Sequence, residues 1–431
     1  MTHNTDTTPT KVHQDSKLGV IPDGWSTPKI SEVFQFINTT SFSRNQLNYD
    51  EESDLFYIHY GDIHATYKKP LLDFEIETNI PRLNSDIELP NSIQYLKDGD
   101  VIIADASEDY DGVGEAIEMK NLNDKKVISG LHTFALRDLE DRTVPGFRTY
   151  IFKNPKVKKA LKTIATGSKV YGISKGNIQK FKIVLPPLPE QQKIAQILAT
   201  WDIFINKQET LIKEKQQLKK GLMQQLLTGK KRFPEYKKKW NEVRLGEVGE
   251  VISGLTYSPS DVRKEGLLVL RSSNIKNRLL KLEDKVYVRS DIENYNKVLK
   301  NDILICVRNG SKPLIGKNII ISSEMENKAF GAFMSVFRSE LNEFLFHLFD
   351  TDVYRREIHR NLGATINSIN TGNLKKFKFI VPSIEESQKL TRFFNSLDNE
   401  ITALQKQLQK LKTQKQGLMQ QLLTGQIRVN V

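Results

Sequence analysis

The sequence predicts a mixed α/β chain of two tandem globular domains separated by two long helices that form an antiparallel coiled coil, with a pseudo-twofold internal duplication. Three observations predict this fold class: a gapless long-range repeat, a change of texture within each half, and a four-three apolar spacing that closes each half. The segment Gly221–Gly229 (GLMQQLLTG) recurs unchanged as Gly417–Gly425, an offset of 196 residues. At that offset 22 of the 57 positions from Ile173 to Gly229 match, among them Asn177 with Asn373, Phe181 with Phe377, and Asp202 with Asp398. Upstream the likeness continues with small shifts, GDVII at 99–103 against NDILI at 301–305 and GLHTFALR at 130–137 against GAFMSVFR at 331–338. Solenoid repeats run at roughly 20 to 50 residues, so a period this long means duplicated domains.

The elements follow in chain order. Residues 1–16 are polar and lack an apolar core segment, so they read as a disordered leader and not a signal peptide. Residues 17–185 and 240–381 carry short β-branched and aromatic runs (Leu55 to Tyr60, Val101 to Ala104, Leu267 to Arg271, Ile303 to Val307) broken by Gly, Asn, Asp and Pro. Helical stretches are expected near Pro155 to Thr166 and Glu343 to Asn361. Each domain ends at proline, and the spacer helices 186–229 and 382–425 follow. The second seam runs Leu390, Phe394, Leu397, Ile401, Leu404, Leu408, Leu411, Lys415, Leu418, Leu422. The first runs Ile194, Leu198, Trp201, Ile205, Ile212, Leu222, Leu226, interrupted by Gln208, Lys215 and Lys219. Each helix stops at Thr-Gly, where Gly229 or Gly425 can adopt the left-handed closing conformation. A helix of about 38 residues spans about 57 Å and needs a partner for its single apolar stripe. The other copy is the favoured partner; its own domain or another protein is the alternative. A basic linker, 230–239, joins the halves, and 426–431 form a C-terminal tail.

Composition narrows the function. With 64 Lys+Arg against 52 Asp+Glu the net charge is +12, which favours a polyanionic partner, nucleic acid above all. An inert basic surface is the bland alternative. Nothing approaches the roughly 18 consecutive apolar residues of a membrane span, so a cytoplasmic protein with no membrane partner is expected. Cys306 is the single cysteine, which excludes an internal disulfide and a cysteine zinc site; a buried strand thiol is expected there.

Enzyme signatures fail one after another. GSKPLIGKN at 310–318 has five residues between its glycines where a phosphate loop has four, and Asn318 stands where Ser or Thr would hold Mg²⁺. Gly112-Val-Gly114 lacks the third glycine of a dinucleotide fingerprint. No Asn/Asp-Pro-Pro-aromatic loop for amino methylation of a base is present, and Glu118-Met-Lys120 and Glu283-Asp-Lys285 match only half of a nuclease pattern. His59 and His64 fall in an expected strand-turn with no third metal ligand in view.

One element does carry a signature. The junction Thr166 to Ile178 (TGSKVYGISKGNI) leads into Phe181 to Ile194 (FKIVLPPLPEQQKI), and its looser copy comprises Leu362 to Leu374 and Val381 to Leu390. Together with IPDGW at 21–25, YGDI at 60–63, RSSNI at 271–275 and CVRNGS at 306–311, this pattern resembles the specificity subunit of type I restriction-modification enzymes over essentially residues 17–431. The copy departs at Ala364, Glu385 and Ser387. The resemblance implies that 17–185 and 240–381 are target-recognition domains, each reading one half of a bipartite site in double-stranded DNA. It implies two modification (methyltransferase) subunits docked along the helices, and restriction (translocase/nuclease) subunits. S-adenosylmethionine, ATP and Mg²⁺ then belong to those partners, no cofactor or metal binds this chain, and the chain is non-catalytic. A structural adaptor without DNA, or a self-sufficient methyltransferase or nuclease, are the competing classes; a gel-shift and cofactor binding by the isolated chain separate them.

Base reading needs donors and acceptors on loops that enter a groove. By loop position the DNA-binding candidates are Tyr60, Asp62, His64, Ser107, Lys169 and Tyr171 in the first domain and Arg271, Asn274, Arg308, Asn309, Ser311 and Lys312 in the second. Asn274 and Asn309-Gly310 also suit plain turns. Lys230, Lys231, Arg232 and Lys237 to Lys239 are either phosphate contacts or a solvated linker.

Overall fold

The computed structural model describes residues 12–15, 18–50, 53–67, 69–363 and 367–431. They form two compact units, one from the described residues of Met1–Lys207 with Leu408–Val431, the other Gln208–Gln407. The unit boundaries fall inside two long helices, Leu188–Leu226 of 39 residues and Ile384–Leu423 of 40, so each unit contains part of both.

In the first unit a five-stranded sheet runs in the order Phe34–Ile37, Thr133–Asp138, Val101–Ala104, Ala116–Lys120, Leu71–Asp73. A second sheet of four strands runs Lys126–Ser129, Leu55–Ile58, Arg82–Leu83, Leu47–Asn48, its first pair parallel. The second unit repeats both orders. Its sheets are Glu250–Ser253, Met334–Arg338, Ile303–Cys306, Asn318–Ile320, and Val262–Arg263, Tyr287–Val288, Leu267–Leu270, Ala329–Phe330, with the parallel pair retained. The edge strand Leu71–Asp73 has no counterpart there among the described residues.

The strand Val101–Ala104 is buried on both faces, which is why it reads as an unbroken apolar run. Its pleat divides two cores: Val101 and Ile103 join the cluster that holds Ile194, Leu198, Leu422 and Leu423 of the long helices, while Ile102 and Ala104 join the cluster beneath the second sheet. Ile303 and Ile305 against Leu304 and Cys306 do the same in the second unit. Cys306 is therefore a fully buried strand residue. The turn before each strand is pinned identically. Arg137 grips the buried Asp100 through two bonds of 2.9 and 2.7 Å, and Arg338 grips Asp302 with the same two distances.

Within each unit the two helices run antiparallel. In the first, Glu190 meets Arg428 and Lys415 meets Asp202 at 2.5 Å; in the second, Lys215 pairs with Glu400, Lys219 with Asp398, and Gln208 with the carbonyl of Leu404 at 3.1 Å. Lys219 and Lys415 occupy apolar seam positions, and these ion pairs explain why the seam tolerates them: each ammonium faces a carboxylate of the opposing helix. Gly229 and Gly425 close the helices at φ of +71° and +68°.

Each unit is also fastened by a Trp–Glu–Arg clasp. Trp25 Nε1 donates to Glu190 at 3.2 Å and Arg428 Nε to the same carboxylate at 2.9 Å. Trp240 Nε1 donates to Glu386 at 2.9 Å and Arg232 Nε at 3.0 Å. In each clasp the Trp and Glu come from one half of the chain and the Arg from the residues that follow the helix of the other half.

Three expectations are corrected. Val12–Asp15, inside the expected disordered leader, form a strand antiparallel to Gly19–Pro22, while residues 1–11 and the departure at Ala364 lie outside the described residues. The expected strand-turn at Tyr60 is a short helix, Tyr60–Ala65, capped by His59 Nδ1 accepting from the Gly61 N–H at 3.0 Å. Arg232 is a clasp residue and not a linker charge, whereas Lys230, Lys231 and Lys237 to Lys239 are exposed.

Candidate nucleic-acid interface

In each unit three chain segments converge at the end of the central buried strand: the loop leaving that strand, the turn after the neighbouring sheet's strand, and the tip that leads into the next long strand. A short segment before the junction helix (Lys175–Gln179 or Thr371–Lys375) bridges onto the first of these.

In the first unit Ala106–Ser107 leave the central strand and pair antiparallel with Tyr171–Gly172. His64 Nε2 lies 3.0 Å from the carbonyl of Ala106, tying the Tyr60–Ala65 helix to that loop. Tyr60 stacks edge-on with His132 at 5.2 Å between centroids, and His132 Nδ1 lies 3.4 Å from Asp105. Burial raises the Asp105 carboxyl above its ordinary range, and His132 opposes the shift. Tyr171 meets Tyr110 edge to face at 5.2 Å, and Tyr110 is 45% exposed. Lys169 projects from an exposed turn that requires glycine at 167, where φ is +133° and a Cβ would collide with the carbonyl of Val170.

The second unit builds the same edge from different side chains. Asn309 Nδ2 donates to Ser272 Oγ at 3.1 Å, joining the loop after Cys306 to the turn after Leu270. Its Oδ1 accepts the Ser311 N–H at 2.9 Å, so Asn309 makes the turn its type favours while also holding the two segments together. The N–H groups of Val307 and Arg308 both donate to the carbonyl of Phe333, and Arg308 bridges to Ser368. Arg271 pairs with Asp284 at 2.8 Å; Ser311 and Lys312 are exposed.

The sequence candidates thus divide. Tyr60, His64, Lys169, Tyr171, Arg271, Arg308, Asn309, Ser311 and Lys312 lie on these converging segments. Asp62 is 3% exposed and held by two bonds of 3.1 and 2.9 Å from Arg44, so its acceptors are used inside the protein. Asn274 is fully buried and donates to the carbonyls of Lys281 and Asp284 at 3.2 and 2.8 Å. Ser107 is buried, its hydroxyl accepting the Asp109 N–H at 3.3 Å. These three are buried and shape the loops, which corrects the expectation that they stand outward on them.

Residues that the sequence reading missed are His132, Tyr110 and Phe333. His132 and Phe333 occupy matched positions of the two repeat segments, GLHTFALR and GAFMSVFR, and both are exposed, Phe333 by 54%. A large exposed ring at a tip flanked by buried strand residues was the available signal. Among the described residues no group of three or more His, Cys, Asp or Glu is placed to hold a metal, and no helix is long and apolar enough to cross a membrane.

Comparison with known proteins places this geometry in context. A family profile described as the type I restriction modification DNA specificity domain matches residues 22–220 and 237–413, once per half. The chain is 27% identical over 398 residues to the specificity subunit of the type I restriction enzyme MjaVIII of Methanocaldococcus jannaschii, covering 84% of this chain and 90% of that one. It is 25% identical to the putative MjaX specificity subunit of the same organism over 96% of both chains. Among solved structures, a chain from a study of complex assembly and conformational transition of the type I R-M system matches at a TM-score of 0.59 and 16% identity, covering 94% of this chain and 99% of that one. A type I S subunit from M. genitalium matches at 0.52 and 13%, covering 94% and 96%.

Proposed function

The chain belongs to the type I restriction-modification DNA specificity family, and from that premise we propose that each unit reads one half of a bipartite target in double-stranded DNA while the long helices set the distance between the halves. The observation that carries this reading is the duplicated edge. One scaffold presents histidine, tyrosine and lysine in the first unit and arginine, asparagine, serine and lysine in the second, which is what two different half-sites require.

In this reading the chain supplies no chemistry. Two modification subunits dock along the helices, and S-adenosylmethionine, ATP and Mg²⁺ are bound by them and by restriction subunits. An adenine amine is out of reach inside a stacked duplex, so the base must be flipped into a pocket of the modification subunit, and the role of this chain is to bring that pocket to the chosen base pair. The complex works in the cytoplasm, where the DNA is.

The test is an exchange of residues 17–185 for the matching segment of a relative, followed by mapping of methylated adenines in cells carrying the whole system. One half-site should change and the other should persist. A change in both halves together, or in neither, removes the assignment of one half-site to each unit.

A further inference from the structure

We infer that Arg308, held against the exposed ring of Phe333, reads a guanine in the half-site of the second unit. The inference rests on the proposed function and deepens it, naming a base and a residue pair. The Arg308 guanidinium carbon lies 5.2 Å from the centroid of the Phe333 ring, and among the described residues the guanidinium makes no ion pair and no hydrogen bond. Of the neighbouring cations, Arg271 pairs with Asp284 through Nη2 and Lys317 donates to the carbonyl of Ser272 at 3.2 Å, while Lys312 is exposed.

The backbone beneath this pair is fixed. The Phe333 carbonyl accepts from Val307 at 3.0 Å and from Arg308 at 3.1 Å, so ring and guanidinium are carried by segments that cannot move independently. Asn309, on the next turn, spends its side-chain amide within the loop, on Ser272 and the Ser311 N–H, and exposed Ser311 offers only a single hydroxyl. What remains outward is a planar fork of N–H donors, pre-placed on an aromatic face. That geometry suits the O6 and N7 acceptors that guanine presents side by side in the major groove. A phosphate needs only a point charge, which Lys312 offers from a flexible stem two residues past Gly310. Stacking on Phe333 limits the rotamers that Arg308 must give up on binding. Phe333 is accordingly a positioning residue for Arg308.

The first unit has no such device. Ala106 stands at the position of Arg308 and His132 at that of Phe333, and His132 faces Asp105 and Tyr60. The two half-sites are therefore read by different chemistry at one equivalent place in the fold.

The experiment uses the full chain assembled with its modification subunits, the target motif of the wild-type complex having first been mapped by adenine methylation. Duplexes carrying each base at every position of the second unit's half-site are then bound by wild type, Arg308→Ala, Arg308→Lys, Phe333→Ala and Phe333→Tyr complexes at several salt concentrations. Both Arg308 variants should lose about five- to 150-fold in affinity for the cognate duplex and cease to discriminate at one G·C pair, the other positions unaffected. Phe333→Ala should weaken discrimination at that same pair, and Phe333→Tyr should restore it. Thermal unfolding unchanged from wild type confirms that these exposed substitutions leave the unit folded. Full discrimination in Arg308→Lys overturns the inference. So does a uniform loss across all bases with the salt dependence shallower by about 0.9, since that is a phosphate contact. A half-site without guanine overturns it as well. A wild-type complex that recognises no bipartite motif would instead defeat the functional reading itself.

Discussion

Lengthening both helices by one heptad tests whether they act as a ruler. Within-unit pairs locate the insertion points: Asp202 faces Lys415 in the first unit, and Lys215 faces Glu400 and Lys219 faces Asp398 in the second. Seven residues placed between Lys207 and Gln208, and seven between Gln407 and Leu408, leave every one of those pairs and both Trp–Glu–Arg clasps untouched. A heptad keeps the four-three seam in register, so the stripe does not rotate away from its partner. Seven residues at 1.5 Å add about 10.5 Å, or about three base pairs at roughly 3.4 Å each. Three base pairs also turn the DNA by about a third of a helical turn, which the complex must absorb. Three heptads add about 31.5 Å, or about nine base pairs, close to one full DNA turn, and relieve that phase error. The assay is methylation mapping of cells carrying each variant. The unspecified gap should grow by about three and about nine base pairs with both half-sites unchanged. A gap of the original length in the three-heptad variant, with methylation retained, would refute the ruler.

Two further outcomes follow from charge. Glu118 is 2% exposed in its strand and accepts the N–H groups of Gly146 and Thr149 at 2.5 and 3.3 Å, and burial pushes its carboxyl up to about 7 from 4.5. Because the folded value is the higher one, the stabilisation from its bound proton is complete below about pH 4.5 and is lost as pH rises through about 7, a swing of roughly 3 kcal/mol. Glu118→Gln should flatten the stability of the first unit between pH 5 and 8 in denaturant titrations, and an unchanged pH dependence counts against the buried-acid account. Changing Lys237, Lys238 and Lys239 to Ala should make DNA binding by the assembled complex less salt-dependent, by about 0.9 for each phosphate that is no longer neutralised, with the preferred sequence unaltered. An identical slope would make them a solvated linker.

Periodicity and duplication carried the architecture because they are local or self-referential: an apolar seam, a proline at one end and a left-handed glycine at the other need only a single sequence. The two helices, the tandem repeat, the strand runs and the buried strand thiol of Cys306 were legible in the sequence, and the family signature lay in a contiguous junction. Tertiary structure alone decided the destinations of polar side chains. Asp62 and Asn274 have the residue types of base readers, yet Arg44 and two backbone carbonyls consume them, because a buried polar group must be satisfied from within. Lys219 and Lys415 interrupt the seam in sequence but are neutralised by carboxylates about 180 to 210 residues away, as hydrogen-bonded charge pairs between helices require. Arg232 reads as part of a basic run until Glu386 and Trp240 are seen to meet it. Its repeat partner Arg428, like Glu190 with Glu386, stands at the same 196-residue offset, so the duplication held the clue while the pairing did not follow from it. Arg308 and Phe333 lie 25 positions apart, and that one becomes a platform for the other depends on two backbone hydrogen bonds that form only when the strands are side by side.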